Sequence, residues 1–192
     1  MLNKILNYLN DGKNIYIVFF LIVVFLSAVK LPTLFTADIQ PWDEGMYATR
    51  VLSIYTNGDF LDQSEHSVGK FYSGSHPPLL IWIGYFCSLI FGLNPATLKL
   101  IPFVFGLLSI LLLILIGKNL FNPLAGITAA LIFSSNIIFN VFSKRFQFDI
   151  PYTFFILLSF YFFLLFLEKK KNIYNVLGGI LFGFCLMVKI LV

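Results

Sequence analysis

Two adjacent carboxylates, Asp43 and Glu44, lie a few residues beyond the end of the first long apolar segment. Pro41 disfavours a helix before this pair, and residues 44, 47, 48 and 51 repeat at helical spacing after it. Asp43 is therefore expected at the N-cap or in the first turn of a helix, whose positive end favours an ionised carboxylate. Such a group is suited to act as a general base. A solvated acidic loop is the alternative interpretation.

A second group of charges, Lys144, Arg145 and Asp149, interrupts an otherwise apolar stretch. Charges between membrane segments are costly unless they are paired or functional. Arg145 and Asp149 are four residues apart, so on a helix they could neutralise one another; the alternative is that they bind a ligand. Pro151 suits the first turn of the following helix and leaves Asp149 close to its N-cap.

Two further residues are candidates for ligand binding. Lys189 lies inside the last apolar segment, where it either serves a ligand or extends its ammonium to the membrane interface. His76 ends a polar stretch immediately before Pro77 and Pro78.

The composition decides which elements must position these residues. The chain is 59% hydrophobic and only 11% charged, which predicts an all-α, polytopic transmembrane protein in a lipid bilayer. Its net charge of +4 does not indicate a nucleic-acid partner, because the basic residues lie between apolar segments. Cys87 and Cys185 lie in apolar stretches without metal-type spacing, so we predict no disulfide and no zinc site. No metal or cofactor is predicted, although a divalent cation stays open.

The apolar segments and their flanking charges predict about five spans. Residues 1–14, with Lys4 and Lys13, are expected in the cytoplasm because positive flanks stay inside. The polar stretch that follows the first span holds six of the nine acidic residues, so function is expected to concentrate there. The predicted order is a span at 15–35, an extracytoplasmic loop with interfacial helices at 36–99, and spans at 100–117, 124–142, 150–167 and 173–192.

The apolar run at 77–91 decides the topology. It is about fifteen residues long, short of the roughly 20 that cross a bilayer. If it crossed, the lysines at 169–171 would lie outside and Asp149 would face the cytoplasm. If it lies in the interface, those lysines fall inside, as the charge rule prefers, and Asp149 joins Asp43 and His76 outside. We predict the interfacial arrangement.

The order and spacing of these motifs resemble the N-terminal half of family 39-type glycosyltransferases of the GT-C fold. The protein O-mannosyltransferases and the lipid A aminoarabinose transferases are relatives within that group. The resemblance spans residues 42–189 and is carried by Asp43-Glu44, Asn57-Gly58-Asp59-Phe60, His76-Pro77-Pro78-Leu79, Arg145 with Asp149, and Gly178-Gly179 with Gly183 ahead of Lys189.

The resemblance implies inverting transfer of a sugar from a polyprenyl-phosphate donor to a hydroxyl of a protein, lipid or glycan acceptor. The reaction would take place on the extracytoplasmic face of the plasma membrane. Asp43 would be the general base, and Glu44 would shape the base or contact sugar hydroxyls. Asp149 would orient the acceptor or hold Arg145. The cations Arg145, Lys189 and His76 would bind the donor phosphate. A lipid-linked donor needs no nucleotide site, and the sequence has no Walker loop or dinucleotide motif.

Departures from the family pattern keep two alternatives open. His76 stands where the aminoarabinose branch has Lys, and His is only partly charged at neutral pH. Relatives are longer, so we expect a fragment or a truncated gene product, and an inactive fragment is one alternative. The other is a transporter or channel that uses Lys189, Arg145 and Asp149 as a path, although no internal repeat or pair of broken helices supports it.

Overall fold

The computed structural model describes residues 14–63 and 77–189, and all the regular elements in those ranges are helices. In chain order they are α1 (Ile15–Thr36), α2 (Asp43–Asn57), α3 (Leu79–Phe91), α4 (Pro95–Leu120), α5 (Pro123–Ser135), α6 (Ile137–Phe142), α7 (Asp149–Lys169) and α8 (Asn172–Val188). The predicted all-α fold is confirmed. Helices α1, α4 and α7 are long and apolar enough to cross a membrane, whereas α3, α5 and α8 are shorter apolar helices.

Helix α2 begins at the acidic pair, as its sequence predicts. Asp43 and Glu44 occupy its first turn, and Gly58 follows its last residue with a φ of 78°, a left-handed conformation that glycine adopts without steric strain. Beyond Gly58 the chain contacts α3, because the indole Nε1 of Trp82 donates to the carbonyl of Phe60 at 2.8 Å.

Helix α4 starts five residues before the predicted span. The side chain of Asn94 accepts a hydrogen bond from the backbone N–H of Thr97 at 2.9 Å, and Pro95 occupies the first turn. An Asn cap followed by Pro is a strong helix start, and Asn122 with Pro123 repeats it at α5. The earlier start places Lys99 inside α4 rather than in the preceding loop.

The predicted single span at 124–142 consists of two helices. Asn136 separates α5 from α6 with an extended backbone, and its side chain caps α6 by accepting from the N–H of Ile138 at 2.8 Å. Asn favours such local caps over a helix interior, so the interruption follows from its side-chain chemistry.

Helices α4 and α5 approach each other closely at two glycines. A Cβ atom on Gly117 would lie 2.4 Å from the Cα of Gly126, and one on Gly126 would lie 2.3 Å from the carbonyl oxygen of Ile114. Glycine is required at both positions by this backbone contact. The close approach supports a buried apolar core that α1, α4, α5, α6 and α7 share.

Contacts between helix ends define a polar end of the bundle, to which Ala37, Asp43, Lys99, Asp149 and Lys189 belong. Lys99 near the start of α4 donates to the carbonyl of Ala37 just after α1, at 3.0 Å. The intervening segment, with α2 and α3, therefore begins and ends at the same end of the bundle. Lys189 just after α8 lies 3.5 Å from Asp149 at the start of α7. The main helices thus alternate in direction.

Candidate active site

Asp43 is an exposed acidic residue at the polar end. It is the first residue of α2, and its carboxylate makes no hydrogen bond or ion pair with other residues in the described part of the chain. The preceding Trp42 has a φ of 72°, which is sterically unfavourable for a residue with a side chain, and the residue is 88% exposed. The geometry presents a carboxylate at a helix start, open to a ligand.

Glu44 differs from its neighbour because it is fully buried. One carboxylate oxygen accepts from the backbone N–H of Gln40 at 2.8 Å, and the other accepts from the N–H of Phe146 at 2.8 Å. Phe146 lies between α6 and α7 and is itself fully buried. Of the two roles expected for Glu44, shaping the base or contacting sugar hydroxyls, this arrangement favours the first, because both carboxylate oxygens already accept backbone N–H groups.

Lys99 completes the surroundings of Glu44. Its ammonium lies 3.9 Å from a Glu44 oxygen and donates to the carbonyls of Ala37 and Asp38. Both side chains of this pair are almost completely buried. Sequence reasoning missed Lys99, although the cap at Asn94 signals that it lies within α4 and not in a loop. The Glu44 carboxylate therefore joins α2, the segment after α1, α4 and the 143–148 segment.

Arg145 belongs to that segment and precedes α7, so its spacing from Asp149 is not that of a helix. Its guanidinium makes no ion pair within the described residues, so the alternative raised by the sequence, that Asp149 neutralises Arg145, does not apply to this structure. Arg145, Lys144 and Lys99 line a cavity of about 300 Å³ together with Thr33 of α1 and residues just after that helix. The cavity offers two partly exposed cations without carboxylate partners, an arrangement suited to an anion.

Asp149 pairs with Lys189 instead. Their charged atoms are 3.5 Å apart, both side chains are more than one third exposed, and the ammonium lies 4.3 Å from the ring centroid of Phe148. Phe148 also contacts Tyr47, whose ring packs edge-on against it with the ring centroids 5.3 Å apart. Tyr47 is one helical turn beyond Asp43, so the rings link the start of α2 to the Asp149–Lys189 pair.

The structure thus gathers five of the six predicted site residues at the polar end, and His76 lies outside the described residues. It also adds Lys30, which lies in the second half of α1. Lys30 is only 3% exposed, and its ammonium donates to the hydroxyl of Ser143 at 2.6 Å and lies 4.2 Å from the Phe139 ring centroid. Lys30 and Ser143 are 113 residues apart, and no pattern in the sequence indicates that they are in contact.

Metal ligands do not cluster in the part of the chain that is described. Within residues 14–63 and 77–189, no group of three His, Cys, Asp or Glu side chains could hold a metal ion. The polar end holds the exposed Asp43 carboxylate, the Asp149–Lys189 ion pair and a cavity lined by cations.

A family model described as dolichyl-phosphate-mannose-protein mannosyltransferase matches residues 75–192, more than half of the chain. The matched range contains Arg145, Asp149 and Lys189, whereas Asp43 and Glu44 precede it. No curated protein and no solved structure matches the chain. With the helical fold, the apolar segments and this match in agreement, the chain is an integral membrane protein that belongs to the dolichyl-phosphate-mannose-protein mannosyltransferase family, a family of GT-C membrane glycosyltransferases.

Proposed function

We propose that this protein transfers a sugar from a polyprenyl-phosphate donor to an acceptor hydroxyl, with inversion, at the polar end of the helix bundle. The observation that carries the proposal is the position of the exposed Asp43 carboxylate relative to Arg145. Asp43 lies in the first turn of α2, and its neighbour Glu44 accepts a hydrogen bond from Phe146, which follows Arg145 directly. A base and a phosphate-binding cation are the two groups that such a transfer requires. Family membership favours a transferase over the transporter alternative.

In the proposed reaction, the acceptor hydroxyl attacks the anomeric carbon from the face opposite the lipid phosphate. Its proton passes to the Asp43 carboxylate as the new carbon–oxygen bond forms. The bond between the anomeric carbon and the phosphate oxygen breaks at the same time, and the lipid phosphate leaves with the electron pair. Attack opposite the leaving group inverts the anomeric configuration.

Arg145 is the cation best arranged to receive the leaving phosphate, since it lines the polar cavity and has no carboxylate partner among the described residues. A guanidinium offers two parallel N–H groups to phosphate oxygens and stays charged at any working pH. Lys189 would have to exchange Asp149 for phosphate, which its partial exposure permits. Asp149 then holds Lys189 in place between turnovers, and Glu44 is a positioning residue for the 143–148 segment.

The extracytoplasmic face is proposed from the distribution of charge. Lys118 and the lysines at 169–171 lie at the far ends of α4 and α7, away from the polar end. Positive residues are retained in the cytoplasm, so the polar end faces out and α3 stays in the interface. The end of α1 and the start of α4 lie together, because Lys99 donates a hydrogen bond to the carbonyl of Ala37. This contact supports a connecting segment that begins and ends on the same side of the membrane.

Donor consumption tests this proposal without knowledge of the acceptor. Membranes that contain the full-length protein are supplied with polyprenyl phosphates that carry radiolabelled hexoses or pentoses, and loss of the lipid-linked label is measured. Asp43→Asn keeps the size of an exposed side chain that makes no hydrogen bond within the described residues, so the helix start stays intact, but the amide cannot accept the proton. We expect turnover to fall by roughly 10²- to 10⁴-fold.

Two controls define the outcome. Asp38→Asn neutralises an exposed carboxylate outside α2 and is expected to leave turnover unchanged. Equal donor consumption by the wild-type protein and the Asp43→Asn variant would remove Asp43 as the base, and no consumption of any donor above that of control membranes would refute the transferase assignment.

A further inference from the structure

Lys30 is a buried lysine in the second half of α1, and the proposed reaction does not use it. The residue is only 3% exposed, although α1 is apolar enough to cross a membrane. An ammonium at such a position is costly, and an apolar side chain would avoid the cost. In the described part of the chain no carboxylate forms an ion pair with it. Neutralisation of an acidic neighbour therefore does not explain why a lysine occupies this position.

The contacts of Lys30 lead to α6 and to the residue that follows it. The ammonium donates to the hydroxyl of Ser143 at 2.6 Å and lies 4.2 Å from the ring centroid of Phe139. Ser143 is fully buried and comes directly after the last residue of α6. The Phe139 ring packs against Gly106 of α4, where a Cβ atom would lie 2.9 Å from the ring. Lys30 thus joins α1 to the end of α6 at a closely packed position.

The chain between α6 and α7 depends on tertiary contacts for its position. It is not helical, and the backbone N–H of Arg145 reaches a carbonyl of α6 at 3.3 Å, beyond the usual range of hydrogen bonds. Two anchors hold it, since Ser143 accepts from Lys30 and the N–H of Phe146 donates to Glu44 at 2.8 Å. Arg145 lies between the two anchors. Consecutive Cα atoms are about 3.8 Å apart, so fixing both anchors leaves Arg145 little freedom.

We infer that Lys30 is a positioning residue, which places the guanidinium of Arg145 through the hydroxyl of Ser143. The inference rests on the proposed function, in which this guanidinium receives the leaving phosphate. Negative charge develops on that phosphate as its bond to the anomeric carbon breaks, and a cation stabilises the charge only from the correct place. A displacement of about 1 Å is enough to slow such a reaction. Lys30 acts on the reaction through Ser143 and makes no contact with the substrate.

Donor consumption by the full-length protein tests the inference. Lys30→Met nearly keeps the length of the side chain and removes the ammonium, and Ser143→Ala removes the hydroxyl at the other end of the contact. We expect each change to lower kcat, calculated per molecule of monodisperse protein, by about tenfold. Loss of folded protein alone would not change this quantity.

Ser159→Ala is the matched control for Ser143→Ala. Ser159 is also buried, and its hydroxyl donates to the carbonyl of Gly178 at 2.8 Å, in a contact between α7 and α8. The change removes one buried interhelical hydrogen bond away from the segment that bears Arg145. It should leave kcat unchanged, and an equal decrease of kcat in Ser159→Ala and Ser143→Ala would overturn the inference.

The double variant Lys30→Met, Ser143→Ala separates a positioning role from direct contact with the substrate. A residue that acts through the Ser143 hydroxyl has no further effect once that hydroxyl is gone. The kcat of the double variant should therefore fall about tenfold, as in each single variant. A decrease of about a hundredfold, the product of the single effects, would show that Lys30 acts independently and would overturn the inference. Wild-type kcat in either single variant would overturn it as well.

Hydrogen exchange of the full-length protein measures the anchor without a donor. Loss of the contact should speed exchange of the backbone amides of residues 143–148 by about tenfold in Lys30→Met and in Ser143→Ala, but not in Ser159→Ala. If Lys30→Met gives no monodisperse protein, kcat and exchange of Ser143→Ala decide. Faster exchange in a protein that consumes no lipid-linked sugar would refute the transferase and keep the anchor. Unchanged exchange and kcat in Ser143→Ala would refute the anchor and keep the transferase.

Discussion

Replacing Glu44 by Gln would remove a negative charge from the interior while it keeps the size of the side chain. The carboxylate accepts backbone N–H groups from Gln40 and Phe146, each at 2.8 Å, and lies 3.9 Å from the Lys99 ammonium. The amide of Gln has one acceptor oxygen, so its NH₂ group must face one of these N–H donors. One hydrogen bond is lost, and one buried donor is left unsatisfied.

The magnitude follows from these contacts. A hydrogen bond to a charged group contributes about 1.5–3 kcal/mol, and an unsatisfied buried donor costs about 1–3 kcal/mol more. Breaking a buried ion pair by removal of one partner typically costs about 3–5 kcal/mol. Because Lys99 keeps its two carbonyl acceptors, we expect Glu44→Gln to lower the free energy of unfolding by about 3–5 kcal/mol.

Reversible unfolding of the purified protein in mixed micelles measures this change. Asp43→Asn is the matched control, since it neutralises the adjacent but exposed carboxylate and is expected to change stability by less than about 0.5 kcal/mol. The double variant Lys99→Met, Glu44→Gln should be destabilised by less than the sum of the two single variants. We expect the difference, which is the coupling energy of the pair, to be about 0.5–3 kcal/mol. If Glu44→Gln were as stable as Asp43→Asn, the buried carboxylate network described above would be refuted.

Three other outcomes are expected. Arg145→Ala should lower use of the lipid-phosphate donor while the amount of protein in the membrane stays near normal, and Arg145→Lys should restore only part of it because Lys lacks the bidentate guanidinium; loss of the protein itself would indicate a structural role. A cysteine at position 170 should react only with reagents that reach the cytoplasm, and labelling from outside the cell would reverse the topology. Gly126→Ala should separate α4 from α5 and lower stability by about 1–3 kcal/mol, whereas Gly179→Ala, where a Cβ meets nothing within 4 Å, should not; equal effects of the two would contradict the close contact.

The sequence by itself determined the fold class and the main candidates for chemistry. An apolar, weakly charged composition admits few structures other than transmembrane helices, and the Asp43-Glu44 pair after Pro41 and the Gly after Asn57 define the limits of α2. Asp149 before Pro151 likewise predicted the start of α7. These features are local, because helix starts and stops depend on a few neighbouring residues.

The tertiary structure decided how the charges are used. Glu44 and Asp43 are adjacent and chemically alike, yet one is fully buried and the other is exposed, because successive helix positions face different directions. Asp149 pairs with Lys189, forty residues away, and not with Arg145. Lys30 meets Ser143 across more than one hundred residues. Pairings over such separations depend on which helix ends meet when the apolar faces pack, and the spacing of residues along the chain does not contain that information.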